Sequence, residues 1–245
     1  MLTRRGVGIV HYNRPDNLVE LIAAVKDTVR AGTKVVVCDD GSPTLPTLPQ
    51  DTILLKGPNL GVGANKNRAL WALQDCHYIA LIEDDLFPTK QGWFEQYEEV
   101  SCLTETHHFC RMADEKAIPE TYPALTEFLQ TKGYTPIYGP SPRGDFTFIT
   151  AKVIKEVGGF DPKFIGAGFA HGHWSERVIK AGLVPHPLKY WDVKEIRDTF
   201  IQKGDREGGR WLNLEKTKAE IRYNKGILKA IRESGGYTYH PLVLT

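Results

Sequence analysis

Cysteine is scarce, and no two of the four, Cys38, Cys76, Cys102 and Cys110, sit at the spacing of a metal finger or a redox pair. So few thiols in 245 residues rule out a disulfide scaffold, so a hydrophobic core must hold the fold, and a reducing, cytoplasmic setting is expected. Long apolar runs are missing too. Nothing approaches the ~20 apolar residues that span a bilayer, and no transmembrane segment is expected. The basic start, MLTRRGVGIVHYN, has an apolar run too short for a secretion signal and lacks a small-residue cleavage site. It reads as a first strand. Net charge is nearly absent, with 31 Lys and Arg against 30 Asp and Glu, which excludes a global pull toward nucleic acid or membrane but leaves room for a local basic patch. No internal repeat is present.

What remains is an ordinary globular composition, 41% hydrophobic and 25% charged, organised around one stretch. Tyr78 to Pro88, YIALIEDDLFP, is a buried-strand pattern that ends abruptly in Glu83, Asp84 and Asp85. Alternate side chains of a strand point the same way, so Glu83 and Asp85 are expected to share one face while Asp84 takes the other. Carboxylates held that close repel unless a cation lies between them, and a hard divalent ion carrying a diphosphate, Mn²⁺ or Mg²⁺, fits such oxygen ligands. A strand ending in solvated acids is the plainer alternative.

The preceding segments repeat the theme. Gly6 to His11 reads as a strand followed by the loop Tyr12-Asn13-Arg14-Pro15. Asp16 or Asn17 can cap a helix whose apolar positions Leu18, Leu21, Ile22, Val25 and Val29 keep helical spacing, with Gly32 closing it. Lys34 to Cys38 is a second buried strand, ending in Asp39 and Asp40 before a Gly41-Ser42-Pro43 turn. This strand–helix–strand opening implies a parallel sheet, and ligands of such sheets lie at the carboxyl ends of the strands. After a proline-rich connector and a weak strand, Thr52 to Leu55, comes GPNLGVGANKNRALWAL. Its helix is expected from Ala64 to about Leu73, with Asn59, Asn65, Lys66, Asn67 and Arg68 near an end that favours anions. The glycine spacing is not a Walker pattern, because no GK[ST] follows.

Taken in order, YNRP, VVVCDDGS, NLGVGANKNRAL and IALIEDD resemble the family 2 glycosyltransferases and the wider GT-A fold of nucleotide-diphospho-sugar transferases. The resemblance is close over Val7 to Asp85 and returns at GDFTFITAKVIKEVGGFDPKF, Gly144 to Phe164. It implies an α/β architecture with a mixed, mostly parallel central sheet flanked by helices and a Rossmann-like nucleotide half. It also implies a catalytic domain over 1–197, with a nucleotide-sugar half to about 90 and an acceptor half from about 91, and a loop and helix over 198–245 packed on it. By position, Tyr12, Asn13 and Arg14 would line the nucleotide pocket, and Asp39 would bind uracil or ribose. Asn59, Gly61, Lys66 and Asn67 match the family's NxGxxxARNxG pattern, with Lys66 in place of arginine and Ala69 in place of the last glycine. Glu83-Asp84-Asp85 fills the DxD-like position, with Asp85 the leading metal ligand and Glu83 or Asp84 reaching sugar or ribose.

The acceptor side is less regular. Trp93 to Leu103 reads as an amphipathic helix, and the adjacent His107 and His108, poorly placed to share one ion, read as ordinary histidines. Within GDFTFIT, Asp145 is a candidate acceptor contact; Ala151 to Val157 is the following helix, and Gly158-Gly159-Phe160-Asp161 the turn after it. The segment GAGFAHGHWSERVIKAGL departs from the family, which usually opens this helix with an acidic pair where the chain has Ala170-His171. His171 is then a candidate general base or metal ligand, and His173 and Glu176 are further candidates beside the plainer reading of polar helix caps. Leu183 to Val193 reads as a late strand pair. Asp198 to Arg210 reads as a glycine-rich loop that, in the family's manner, brings Lys203, Arg206 or Arg210 to the diphosphate. A C-terminal helix is expected from Trp211 to Ile231. The implied activity is metal-dependent, inverting transfer from a nucleotide sugar, a UDP-sugar first, to a saccharide hydroxyl or to a hydroxylated base in modified DNA. Two alternatives stand beside it: a binding-only, catalytically lapsed relative, and a sugar-phosphate nucleotidyltransferase, against which the YNRP loop argues, since that class carries a GxGTR-like loop there.

Overall fold

The computed structural model describes residues 4–108, 116–117, 123–138, 144–184, 190–203, 214–237 and 239–242. Strand β1 (Arg5–His11) leads through the Tyr12 loop into helix α1 (Pro15–Thr28), and then come strands β2 (Lys34–Asp39) and β3 (Ile53–Lys56) and helix α2 (Val62–Leu73). Strand β4 (Tyr78–Glu83), the short β5 (Leu86–Pro88) and helix α3 (Trp93–Val100) complete the first half. The second half contains β6 (Thr106–His108), β7 (Lys116–Ala117), α4 (Pro123–Thr131), β8 (Pro136–Tyr138), β9 (Phe146–Thr150) and α5 (Ala151–Val157). It continues with α6 (Ala170–Lys180), β10 (Trp191–Val193), α7 (Lys194–Arg197), β11 (Phe200–Gln202) and α8 (Leu214–Ser234).

The central sheet runs β3-β2-β1-β4-β9-β6, with the first four strands parallel and β9 antiparallel to both neighbours. This is the mixed, mostly parallel sheet expected from the sequence. Alternation divides its side chains between two cores. Val7, Ile9, Val35, Val37, Ala80, Ile82, Phe146 and Phe148 pack with α1 and α3, whereas Val36, Cys38, Ile79, Leu81 and Ile149 pack with α2, α5 and α6. On the α2 side β1 presents Gly6 and Gly8 ahead of Val10. A methyl at Gly8 would lie 2.8 Å from Ala69 Cβ and 2.9 Å from Leu81 Cδ2, so bare backbone there brings α2 tight against the sheet.

In parallel register His11 pairs with Asp39 and Val10 with Glu83, so the β1, β2 and β4 carboxyl ends open on one edge. Several boundaries differ from the sequence reading. Helix α1 begins at Pro15, which presets the first helical φ, with Arg14 at the N-cap, so Asp16 and Asn17 lie inside its first turn and do not cap it; α2 begins at Val62 directly after Gly61. Helix α3 stops at Val100, and among the described residues of 183–193 only Trp191–Val193 forms a strand. Residues 185–189, 204–213 and most of 109–122 lie outside the described residues, and with them Arg206, Arg210 and the start expected for the last helix. A pairing the sequence did not suggest joins β5 to β11, carrying Lys203 N–H to the carbonyl of Asp85 at 2.8 Å.

Candidate active site

Strand β4 ends at Glu83, and the backbone turns at Asp84-Asp85, so the expected strand alternation does not extend through the acids. Glu83 goes one way and the two aspartates go another. Glu83 Oε1 lies 3.1 Å from Lys66 Nζ, whose ammonium also donates to the carbonyl of Gly144. The Lys66 side chain is 1% exposed, so α2 drives a cation into the sheet edge, where the Glu83 carboxylate and the Gly144 carbonyl meet it. A methyl at Gly144 would lie 3.3 Å from Glu83 Oε1, 3.4 Å from Lys66 Nζ and 3.9 Å from His171 Cβ, so four sequence-distant segments meet at this point. Asp145 is buried there and accepts the Glu83 N–H through its carbonyl at 2.9 Å.

Asp84 and Asp85 face the loop after β1. Asp84 Oδ2 accepts the Tyr12 N–H at 2.9 Å, and Arg14 Nη1 reaches Asp84 Oδ1 at 3.0 Å and Asp85 Oδ2 at 3.1 Å. Burial pushes the Asp84 carboxyl up to about 6, against the pull of the Tyr12 N–H and of Arg14. Asp85 Oδ1 is buried and has no hydrogen-bond partner. An orphaned carboxylate oxygen at a strand end normally carries a cost unless a ligand completes it.

The second acidic strand end has a different character. Asp39 is 0% exposed: Oδ1 takes the Ser42 hydroxyl and, at 2.9 Å, His11 Nδ1, and Oδ2 takes the Ser42 N–H at 3.0 Å. Because His11 Nε2 accepts the Arg14 N–H at 3.2 Å, the ring proton belongs on Nδ1. Burial raises the Asp39 carboxyl, but Ser42 and His11 outweigh it and hold the group below its ordinary value. Asp39 thus braces the loop after β1 through His11 and Ser42. Asp40 receives the Leu60 and Gly61 N–H groups and the Arg68 guanidinium, which fixes the glycine loop ahead of α2. The Asn67 amide is consumed by Phe160, donating to its carbonyl at 2.9 Å and accepting its N–H at 2.7 Å. Asn59 is exposed, and Asn13 lies nearby with φ 53, its N–H on Ser42 Oγ at 2.8 Å.

Helix α6 sorts the three candidate bases. His171, in its first turn, is the one brought to Gly144 and Glu83, with its ring stacked 6.2 Å from that of Phe160. His173 is 0% exposed among Phe164, Tyr237 and His240, and burial followed by Arg177 lowers its pKa to about 4. Glu176 is paired with Arg232 and accepts the Tyr237 hydroxyl at 2.6 Å, away from the acids. Glu176 therefore does not join the cleft. Lys203 does not either: its ammonium pairs with Glu20 and lies 4.8 Å over the Phe87 ring.

Sequence reasoning missed His11 and Ser42, the supports of Asp39, and it missed Asn224. Asn224 is 0% exposed on α8 and donates to the carbonyls of Ile165, Ala167 and Gly168 at 2.7, 2.9 and 3.0 Å, while accepting the Ile165 N–H at 3.2 Å. A polar residue breaking the apolar register of the last helix was the available signal.

Comparison with known proteins agrees with this geometry. Residues 7–102 match the family described as Glycosyl transferase family 2. No curated protein matches the chain. Among solved structures, the catalytic domain of Drosophila beta1,4galactosyltransferase 7 with xylobiose is 18% identical, over 84% of this chain and 72% of that one, with a TM-score of 0.50. A mutant of the same enzyme with manganese, UDP-Gal and xylobiose is 17% identical over 88% and 80%, with a TM-score of 0.50. GalNAc-T7 with UDP, GalNAc and Mn²⁺ is 11% identical over 70% and 40%, with a TM-score of 0.53. These likenesses show the fold, the GT-A fold of those glycosyltransferases, and across its nucleotide-side half, residues 7–102, the chain is similar to the family 2 glycosyltransferases.

Proposed function

We propose that the chain transfers a sugar from a UDP-sugar to a saccharide hydroxyl with inversion, using Mn²⁺ or Mg²⁺ at the Asp84-Asp85 turn. The observation that carries this reading is Asp85 Oδ1, a buried carboxylate oxygen without a hydrogen-bond partner at the carboxyl end of the central strand. Among the described residues no three His, Cys, Asp or Glu side chains converge into a cage for an ion. Asp85 would therefore hold a cation that completes its shell from substrate phosphates and water, as Mg²⁺-type ions commonly do, while Glu83, two residues earlier, faces Lys66. Such a cation neutralises the charge developing on a departing diphosphate. The donor class is supported by the UDP-Gal and UDP complexes of two structural neighbours, and the saccharide acceptor by the xylobiose complexes.

The protein's own groups supply the rest. Arg14 and Lys66 bring positive charge to opposite sides of the acid turn, toward the diphosphate. His171 takes the proton of the attacking hydroxyl, and Asp145, on the same side, orients the acceptor. Attack of that hydroxyl on the anomeric carbon, with the diphosphate leaving in line, would be a single displacement with inverted configuration. Thermal unfolding with UDP, GDP, dTDP and CDP, each with and without Mn²⁺, tests the donor site. A ligand at ~100 times its Kd adds about 2.7 kcal/mol, so UDP with Mn²⁺ is expected to raise the midpoint clearly. Asp85→Ala is expected to abolish that rise while leaving the unliganded midpoint close to wild type. A protein indifferent to every nucleotide would contradict the assignment.

A further inference from the structure

The place a cation would take between two carboxylates is already used by one of the protein's own. Arg14 Nη1 bridges Asp84 and Asp85 at 3.0 and 3.1 Å, and neighbouring groups hold both sides of that bridge. On the aspartate side, Tyr12 N–H fixes Asp84 Oδ2 at 2.9 Å, and Asn17 Nδ2 donates to the Asp84 carbonyl at 3.2 Å. On the arginine side, Pro15 begins α1 directly after Arg14, and the Arg14 N–H is held by His11. The guanidinium is thus a built part of the acid turn, with its side chain 14% exposed, and not a surface residue resting on it.

Its charge has a consequence for the order of binding. Glu83 is matched by Lys66, while Asp84 and Asp85 share the single charge of Arg14. A free divalent ion approaching Asp85 Oδ1 meets a carboxylate whose other oxygen is already neutralised, with the guanidinium next to it, so like charges oppose its entry. A nucleoside diphosphate reverses the sign of that encounter. Its oxygens bind the ion and accept hydrogen bonds from the guanidinium, which can present further N–H donors beyond the one on the carboxylates.

We propose, resting on the donor-site reading above, that Arg14 is a resident counter-ion that excludes a free divalent cation from Asp85 and makes metal binding depend on the diphosphate. Because such coupling is reciprocal, the metal must tighten the nucleotide by the same factor that the nucleotide tightens the metal. Arg14 is in this sense a positioning residue for the ion and the diphosphate together.

The test measures Mn²⁺ affinity directly, by the electron paramagnetic resonance signal of free Mn²⁺, for wild type, Arg14→Gln and Arg14→Lys, each with and without saturating UDP. Wild type is expected to bind Mn²⁺ alone weakly and about tenfold or more tightly with UDP, within the range usual for coupled sites. Arg14→Gln is expected to bind Mn²⁺ alone about tenfold more tightly than wild type and to lose most of the UDP enhancement, whereas Arg14→Lys, which keeps the charge, retains it. Should Arg14→Gln fail to fold, Arg14→Met keeps the aliphatic stem and gives the same comparison. Equal affinity for Mn²⁺ alone in wild type and the neutral variants, or a lysine variant that behaves as they do, overturns the proposal. A wild type that ignores UDP defeats the donor-site reading, and the Mn²⁺-only comparison still decides what the guanidinium does.

Discussion

His171 and Glu176 stand five positions apart on α6, and at about 100° per residue the helix turns them to different neighbours. His171 borders Gly144 and Glu83, while Glu176 is spent on Arg232 and Tyr237. Burial raises the Glu176 carboxyl, but its hydrogen bonds from Arg232 and Tyr237 outweigh that and hold it below its ordinary value, which suits a structural anion better than a proton acceptor. Under the proposed reaction, His171→Ala is expected to lower kcat by about 100-fold or more, the usual contribution of a positioned base. Glu176→Gln is expected to leave kcat within about twofold and to lower the unfolding midpoint instead, since it weakens a partly buried pair. Steady-state rates and melting curves on the two variants separate the roles, and equal loss of turnover in both would remove the distinction. Sequence alone could not make this choice, because His171, His173 and Glu176 lie within six residues and only the phase of the helix against its neighbours sorts them.

At the scale of elements, the site depends on how α8 grips the loop before α6. Asn224 satisfies three carbonyls and one N–H of residues 165–168, and Glu220 accepts the Ala167 N–H at 3.1 Å. That loop also touches the nucleotide side through a backbone bridge from Gly166 to Gly61, so close that a methyl on Gly61 would overlap the Gly166 backbone. Gly61 has φ 97, so any side chain there is both strained and obstructed. Asn224→Ala leaves buried carbonyls unpaired and should cost about 1–3 kcal/mol in urea unfolding. Gly61→Ala should cost a comparable amount, with donor and acceptor affinities falling together because one contact joins both loops. Normal affinities in a destabilised Gly61→Ala protein would contradict the joint effect. What the sequence made legible here follows from locality. Strands β1, β2 and β4, and the acidic ends of β2 and β4, are short-range patterns of apolar runs and charge, as are α2 and α5. The β5–β11 pairing and the Asn224 clamp join residues far apart in the chain, and no local pattern encodes a distant partner. The Glu83/Asp84/Asp85 alternation failed for a related reason: the pleat ends where the backbone turns, and the turn is set by contacts from Tyr12 and Arg14.

For the molecule as a whole, two buried groups, Asp192 and His173, oppose each other in their response to pH. Asp192, 0% exposed on β10, takes the Tyr97 hydroxyl at 2.9 Å and the Val193 N–H at 2.8 Å on Oδ1, while Oδ2 is buried without a hydrogen-bond partner. Burial raises this carboxyl well above its ordinary value, so the folded state prefers it protonated. Its contribution is fully present below the unfolded carboxyl range near ~3.9 and is lost as pH rises toward the elevated folded value. His173 runs the other way. Its pKa falls from 6.5 to about 4, chiefly through burial, so its contribution is present above 6.5 and is lost as pH falls toward 4. Across that window the wild-type dependence is partly a cancellation between the two. Asp192→Asn, which keeps the acceptor for Tyr97 and Val193 and cannot ionise, is expected to gain stability over wild type as pH rises from 4 to 8. His173→Phe, placed among Phe164, Tyr237 and His240, is expected to gain over wild type as pH falls from 6.5 to 4. Melting midpoints of the three proteins across pH 4 to 8 therefore give difference curves of opposite slope. Parallel curves would mean that neither buried group changes its protonation on unfolding, and that the pH response belongs to the exposed charges.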